Sequence, residues 1–213
     1  MTRHDHEDND VAALMTSSLA EQADILRTWN MDAAGLLILM SPCEGRCFFC
    51  AQPAVTHPPP SDWTPWPRIR DLLQGNKTAR LQRLCIGGTE PTTHPDFDRS
   101  LTLARDQGFE AVELMTSGLR LSQPGEAARL REAGVRTIAS PIYSTDPHTH
   151  NMVCGTQCHA RLLAGLDAAQ AAGIEVRLHT LALRRTLPGL AALASMSLER
   201  WHTPLTLAPA RPT

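Results

Sequence analysis

Apolar residues in this chain come in short blocks, and between the blocks the spacing changes to that of an amphipathic helix. Gly35 to Met40 is a compact apolar run of the buried-strand type, closed by Ser41-Pro42. Leu81 to Ile86 reads as a second strand ended by Gly87-Gly88, and Ala111 to Met115 as a third closed by Thr116-Ser117-Gly118. Val135 to Tyr143, interrupted late by Pro141, then Ile174 to Leu183 and Pro204 to Ala208 complete a set of strands. The intervening helices are equally legible. Pro95 to Gly108 has a proline in its first turn and a glycine stop, and Gln123 to Ala133 stops at Gly134. Thr156 to Ala172 aligns Leu162, Leu163, Leu166 and Ala169 on one face with Gly173 as its cap, and Pro188 to Leu198 is the last helix. Ser144 to Gly155 reads as a loop. Pro53 to Pro67 is too rich in proline for helix or central strand, and predicts an extended surface loop leading to a short helix near Ile69 to Leu73.

Strands alternating with helices imply right-handed βαβ units and a parallel sheet. Six such units in about 180 residues fit an α/β fold of the open, partial-barrel kind, since a closed eightfold barrel typically needs ~250 residues. A doubly wound open sheet is the alternative. Residues 1–30, polar at first and then helix-permissive from Asp10 to Thr28, read as an extension, and 31–213 as the core. His4 and His6 belong to that polar start and read as part of a disordered tail. The formal net charge of -2 gives no polycationic surface for nucleic acid or an anionic membrane. The polar first ten residues are unlike a secretory signal, and the run up to Met40 is far too short to cross a bilayer. A soluble, cytoplasmic chain is expected.

In a parallel β/α fold, chemistry gathers where strands end and the next loops begin. Here every unusual motif falls at such a point. Cys43-Glu44-Gly45-Arg46-Cys47-Phe48-Phe49-Cys50 follows the first strand, Gly88-Thr89-Glu90-Pro91 the second, Thr116-Ser117-Gly118 the third, and Ser140 ends the fourth. Three thiols so close together in a chain that is not a small secreted domain point to a metal or cluster rather than disulfides. Iron–sulfur clusters commonly take four thiolates, and three would leave one iron open. Structural zinc is the competitor, but it usually draws paired ligands from two segments, and no second Cys-x-x-Cys or His-x-x-x-His pair is present.

Cys-x-x-x-Cys-x-Phe-Cys at Cys43, Cys47, Phe49 and Cys50 resembles the signature of the radical S-adenosylmethionine superfamily. Gly88-Thr89-Glu90-Pro91-Thr92, with His94-Pro95-Asp96-Phe97 after it, resembles that family's Gly-Gly-Glu-Pro motif, at the expected place after the second strand. The likeness runs from about Gly35 to the C-terminus. It implies a partial (β/α)6 barrel with its cofactors at the C-terminal strand ends, and a [4Fe-4S] cluster held by Cys43, Cys47 and Cys50 whose open iron chelates S-adenosylmethionine. It also implies an oxygen-sensitive enzyme that cleaves this cofactor reductively, abstracts hydrogen from a peptide or small metabolite, and draws electrons from a donor such as flavodoxin or ferredoxin. Gly88, Thr89 and Glu90 would meet the methionine amino group, and Phe49 would lie near the adenine. Thr116 and Ser140 are candidates for methionine and ribose contacts, and Arg177, with His179 behind it, for the carboxylate. Thr89 departs from the family's second glycine, and Ser117 stands where asparagine is frequent.

A narrower likeness joins Cys47-Phe48-Phe49-Cys50-Ala51-Gln52-Pro53, Ser61-Asp62-Trp63, Val176-Arg177-Leu178 and Thr186-Leu187-Pro188-Gly189-Leu190 to the radical maturases of His-Xaa-Ser peptide systems. That likeness implies a ribosomally made peptide as substrate. The chain ends soon after the sixth strand, without a cysteine-rich extension for further clusters. Two other functions stay open: a non-catalytic iron–sulfur carrier or sensor, which has no use for the Gly88/Glu90 motif, and a truncated barrel that only binds a peptide. Outside the motifs, Cys154 and Cys158 flank Gly155 at a helix start, where a thiol pKa tends to fall. Cys158 is the speculative catalytic residue, as a hydrogen-atom donor. A second metal and two ordinary small side chains are the other readings of that pair. Asp146, His148 and His150 share their loop, Cys85 reads as core, and Trp63 and Trp66 lie in the proline-rich segment.

Overall fold

A computed structural model describes residues 19, 32–33, 35–50, 60–75 and 81–208. The helix-permissive segment 10–28 lies almost wholly outside the described residues, as does the proline-rich segment from 51 to 59. Among the described residues, six strands form one sheet in chain order, every neighbouring pair parallel. They are β1 (Gly35–Leu39), β2 (Arg83–Gly88), β3 (Ala111–Met115), β4 (Val135–Pro141), β5 (Glu175–Leu181) and β6 (Leu205–Ala208). The connecting helices are α1 (Trp66–Gln74), α2 (Phe97–Asp106), α3 (Glu126–Glu132), α4 (Pro147–Cys154), α5 (His159–Ala171) and α6 (Leu190–Trp201). Strict sequential order means that each crossover adds its strand on the same side. Among the described residues, six strands joined by five helical crossovers make the expected open partial barrel.

Side-chain parity explains why the sheet needs helices on only one face. Leu37, Leu39, Leu84, Ile86, Val112, Leu114, Ile138, Val176 and Leu178 belong to the main core, together with Ile69, Leu73, Phe97, Leu101, Leu130, Leu162 and Leu166 from the helices. The opposite parity contributes a much smaller apolar cluster of Leu36, Cys85 and Ala139, flanked by Ile38 and Met115. Cys85 is thus a buried core thiol on the inner face, as its place in a strand suggested.

That inner face also carries charge. Glu113, in register with Cys85 and beside a bulge at Val112/Glu113, has a side chain with 0% exposure. Its oxygens accept from Arg83 Nη2 at 2.6 Å and from the backbone N–H groups of Asp32 at 3.0 Å and Ala33 at 3.2 Å. Asp32 in turn pairs with Arg177 at 2.6 Å, which also reaches Glu175 at 2.9 Å. A buried carboxylate is tolerated only when its acceptor sites are filled, and this one ties the segment before β1 to β2 and β3.

One segment departs from the sequence reading. Ser144 to Gly155, expected as a loop, contains helix α4. Its signals are local: Asp146 caps the helix by accepting from Thr149 N at 2.8 Å, and Pro147 sits in the first turn. The run Pro-His-Thr-His-Asn hides them because it has no apolar periodicity. A smaller shift occurs at α1, which begins at Trp66 and takes Pro67 into its first turn.

Replacing Glu113 with alanine strands two backbone donors and Arg83. A fully buried pair broken in this way costs ~3–5 kcal/mol, but the Arg83 side chain is 41% exposed and rehydrates. The expected loss is about 2–3 kcal/mol in urea unfolding. His179, also on the inner face, titrates near 4 because burial disfavours its charged form. The unfolded chain takes up that proton near 6.5, so stability is fully present above this value and falls as pH drops toward 4, by up to about 3 kcal/mol. Urea unfolding between pH 7.5 and 4.5 should show this slope, and His179→Asn should flatten it.

Candidate cofactor site at the strand ends

The rim is assembled by hydroxyl groups. Thr89 Oγ1 donates to the Ser41 carbonyl at 2.5 Å and accepts from Ser41 N at 2.8 Å. Ser41 Oγ donates to the Glu90 carbonyl at 2.6 Å, and Thr93 Oγ1 bonds both the Pro42 and Glu90 carbonyls. The two residues that precede Cys43 are therefore stitched to the loop that carries Glu90. Thr89, a departure from the family's glycine, supplies part of this stitching. Gly88 next to it has φ 131, and a Cβ there would lie 2.2 Å from the Leu39 carbonyl oxygen. Only glycine lets β1 and β2 approach so closely at this end.

Glu90 is buried, with 2% exposure, and five donors converge on its carboxylate. Oε1 accepts from Thr92 N at 3.3 Å, Thr92 Oγ1 at 2.7 Å and Thr116 Oγ1 at 2.7 Å. Oε2 accepts from Ser117 N at 2.7 Å and Ser117 Oγ at 2.5 Å. Sequence reading had singled out Thr116 and noted Ser117 only as a departure. The role of Thr92 was missed, although three threonines in five residues after a glycine pair was a visible signal.

Cys43, Cys47 and Cys50 are free, partly exposed thiols. Gly45 measures their convergence: a Cβ on it would sit 3.5 Å from Cys43 Sγ and 3.6 Å from Cys47 Sγ. Gly45 N–H points at Cys43 Sγ at 3.4 Å, and a Cys50 N to Cys47 O bond of 3.0 Å turns the chain between the second and third thiols. Burial pushes the Cys43 thiol up to about 12, Gly45 N–H opposes this, and the charges of Glu90, Cys47 and Cys50 add to the rise. Crowded thiolates repel one another, and a bound metal removes that cost. The donor set and the close approach at Gly45 therefore fit a cluster.

The remaining candidates fall around the same rim or below it. Phe49 packs edge-to-face on Tyr143 with centroids 5.3 Å apart, and Phe48 is exposed. Ser140 is buried at the end of β4, and its Oγ has no hydrogen-bond partner among the described residues. Arg177 is held by Asp32 and Glu175 toward the strand starts, while His179, two residues on, is in register with Pro141 and closer to the rim. Cys154 ends α4 and Cys158 caps α5, so the pair bridges two helices rather than opening one.

Residues 37–188, well over half of the chain, match the family model described as Radical SAM superfamily. The chain belongs to the radical SAM superfamily. Members of this superfamily are enzymes that use a [4Fe-4S] cluster and S-adenosylmethionine. GTP 3',8-cyclases are among its curated relatives: that of Erythrobacter litoralis is 27% identical over 67% of this chain and 43% of its own length, and that of Nitrobacter hamburgensis 29% over 67% and 42%. This radical SAM chain thus spans less than half the length of those relatives. Streptococcus suis SuiB bound to its precursor peptide SuiA superposes with a TM-score of 0.67 at 17% identity, covering 83% of this chain and 39% of SuiB. The anSMEcpe structure with bound AdoMet gives 0.65 at 15% identity, over 83% and 51%. These likenesses bear out the open barrel. No helix among the described residues is long and apolar enough to cross a membrane.

Glu90→Gln puts an amide N–H₂ against donors that need an acceptor, and removes a charge-assisted bond worth ~1.5–3 kcal/mol. S-adenosylmethionine binding to the cluster-loaded protein, measured by equilibrium dialysis, should weaken about tenfold or more.

Proposed function

We propose that this chain is a radical SAM enzyme in which Cys43, Cys47 and Cys50 hold the cluster and the Gly88–Glu90 rim holds S-adenosylmethionine. The observation that carries the reading is the fixed proximity of the cysteine loop to Glu90, made by Ser41, Thr89 and Thr93. When bound, the cluster supplies the electron that cleaves S-adenosylmethionine to methionine and a deoxyadenosyl radical. The protein's own part is to bind, orient and exclude water.

In this reading Glu90, held by Thr92, Thr116 and Ser117, attracts the methionine ammonium group by its charge and takes a hydrogen bond from it when a hydroxyl donor such as Ser117 Oγ turns away. Gly88 brings the backbone to the ligand, with Thr89 beside it. Ser140, the ribose candidate, is wholly buried on the helix-covered side near Gly118, Leu162 and Leu166, and it meets the ribose only if the end of β4 rearranges. Thr116, already committed to Glu90, acts on the amino group through that carboxylate. Phe49 forms an aromatic wall with Tyr143 beside the adenine. Arg177 serves the carboxylate end only by leaving Asp32 and Glu175, and His179 is the better placed of the two. Electrons come from a small donor protein of the flavodoxin or ferredoxin kind.

For the second substrate, a peptide is favoured by the His-Xaa-Ser maturase likeness and by the precursor peptide in the SuiB complex. The exposed Phe48 in the cysteine loop and Met152 on α4 offer apolar contacts for such a chain. A nucleotide is the second reading, favoured by the named activity of the GTP 3',8-cyclases.

After anaerobic reconstitution with iron and sulfide, dithionite and S-adenosylmethionine should yield methionine and deoxyadenosine. Cys43→Ala, Cys47→Ala and Cys50→Ala should each reduce the yield about a hundredfold or more, with loss of the cluster absorbance. Cleavage that survives Cys47→Ala overturns the ligand assignment, and an intact cluster without products overturns the enzyme reading. Adding GTP or a His-Xaa-Ser peptide to parallel reactions separates the two substrates by which one is converted.

A further inference from the structure

The two oxygens of Glu90 are not equally occupied. Oε1 takes three donors, Thr92 N, Thr92 Oγ1 and Thr116 Oγ1, which is more than its lone pairs readily serve. Oε2 takes two, Ser117 N and Ser117 Oγ, and the second is a hydroxyl free to rotate away. Oε2 is therefore the oxygen open to an incoming ammonium group, provided that Thr92 stays on Oε1. Both Thr92 donors belong to one residue, so the orientation of that residue decides the asymmetry.

Thr92 is 1% exposed and is held from behind by Arg120. Arg120 Nη1 donates to the Thr92 carbonyl oxygen, while Nε donates to Glu126 Oε1 at 2.9 Å. Arg120 opens the 3-10 turn Arg120–Ser122, so the β3 loop that supplies donors to Glu90 also reaches back to the β2 loop. The result is a closed ring: Glu90 to Ser117, along the chain to Arg120, across to Thr92 and back to Glu90. Glu126 sets the direction of the guanidinium. It lies buried in the first turn of α3, where Arg129 bonds its two oxygens at 2.9 and 2.8 Å and reaches Asp98 on α2 at 2.7 Å. The Arg129 hydrogen bonds hold the Glu126 carboxyl below the usual carboxylate range, so this anchor stays charged. A guanidinium is a rigid fork, and with one arm fixed on Glu126 the other has its direction set.

We infer that Arg120 is a positioning residue for S-adenosylmethionine: it holds the Thr92 carbonyl so that both Thr92 donors stay on Glu90 Oε1, and Oε2 is left to the methionine amino group. This inference rests on Glu90 being the ligand of that group. Thr92 sits in a 3-10 turn of three residues, Pro91–Thr93, which has few backbone bonds of its own to fix its peptide planes. Without Arg120 the turn is free to swing Thr92 Oγ1 off the carboxylate, and Glu90 then loses the orientation that exposes Oε2. Arg120 spends its bonds on Thr92 and Glu126, so its effect on the cofactor passes through Thr92. Charge-assisted donors in such a ring also polarise the groups that follow them, which strengthens the Thr92 bonds to Glu90.

The test is a double-mutant cycle on cluster-loaded protein, with S-adenosylmethionine binding read by equilibrium dialysis and iron counted on each sample. Arg120→Ala should keep its full complement of cluster iron and weaken binding about fivefold. In the Glu90→Gln background the same substitution should change affinity by less than about twofold, because the carboxylate that Arg120 serves is gone. Arg120→Lys, whose single ammonium cannot span Glu126 and the Thr92 carbonyl together, should also weaken binding, and it carries the cycle if the alanine variant loses iron. Equal losses in the two backgrounds would make Arg120 a structural residue independent of Glu90 and overturn the inference. Wild-type affinity in both Arg120 variants overturns it as well. Cluster-loaded wild type that binds S-adenosylmethionine no better than Glu90→Gln refutes the proposed role of Glu90, and this inference with it.

Discussion

Everything at the functional end of this molecule depends on keeping a carboxylate buried. Glu90 sits at 2% exposure, where an ionised oxygen without partners costs several kcal/mol, so its five donors are a condition of the fold. Thr92 supplies two donors from the same loop, while Thr116 and Ser117 reach across from the end of β3. Satisfying Glu90 therefore fixes the β3 rim against the β2 rim. The same loop is bonded through Thr89 and Thr93 to the residues that lead into Cys43. One electrostatic requirement thus sets the spacing among three strand ends.

A second buried carboxylate occupies the interior toward the other end of the strands. Glu113 gathers Arg83 and two backbone N–H groups, and the network continues through Asp32 to Arg177 and Glu175. The two differ in kind. Glu113 faces a guanidinium and is neutralised inside the protein, whereas Glu90 is held by neutral hydroxyls and amides. A carboxylate compensated only by dipoles keeps its attraction for a cationic group that arrives later. This difference in chemistry sets the two carboxylates apart: Glu113 carries its own cation, and Glu90 carries none in direct contact among the described residues.

The cysteine loop is wedged between the Glu90 rim and the turn that ends α4. It contacts the first through Ser41 and Pro42, and the second through the Arg46 bond to Cys154 and the close approach at Gly155. A loop with three thiols and little apolar content has few means of holding its own shape. Its order comes from these backbone contacts with better-packed neighbours, so changes in α4 are felt at the thiols without touching them.

Much of this was legible from the residues. The strand blocks, the helix stops at Gly108, Gly134 and Gly173, and the placement of every motif after a strand follow from periodicity and turn chemistry, which act over a few residues. Those local signals determined the parallel open barrel and brought Cys43, Cys47, Cys50 and Glu90 to one rim. They failed at Ser144 to Gly155, where a cap and a proline start a helix without an apolar stripe. What only the tertiary structure decided is which groups answer one another: Thr92, Thr116 and Ser117 on Glu90, Asp32 on Arg177, and His150 on Cys154. Hydrogen bonding is short-ranged and directional, so the partners of a buried polar group depend on register and crossover geometry, and sequence spacing does not carry that information.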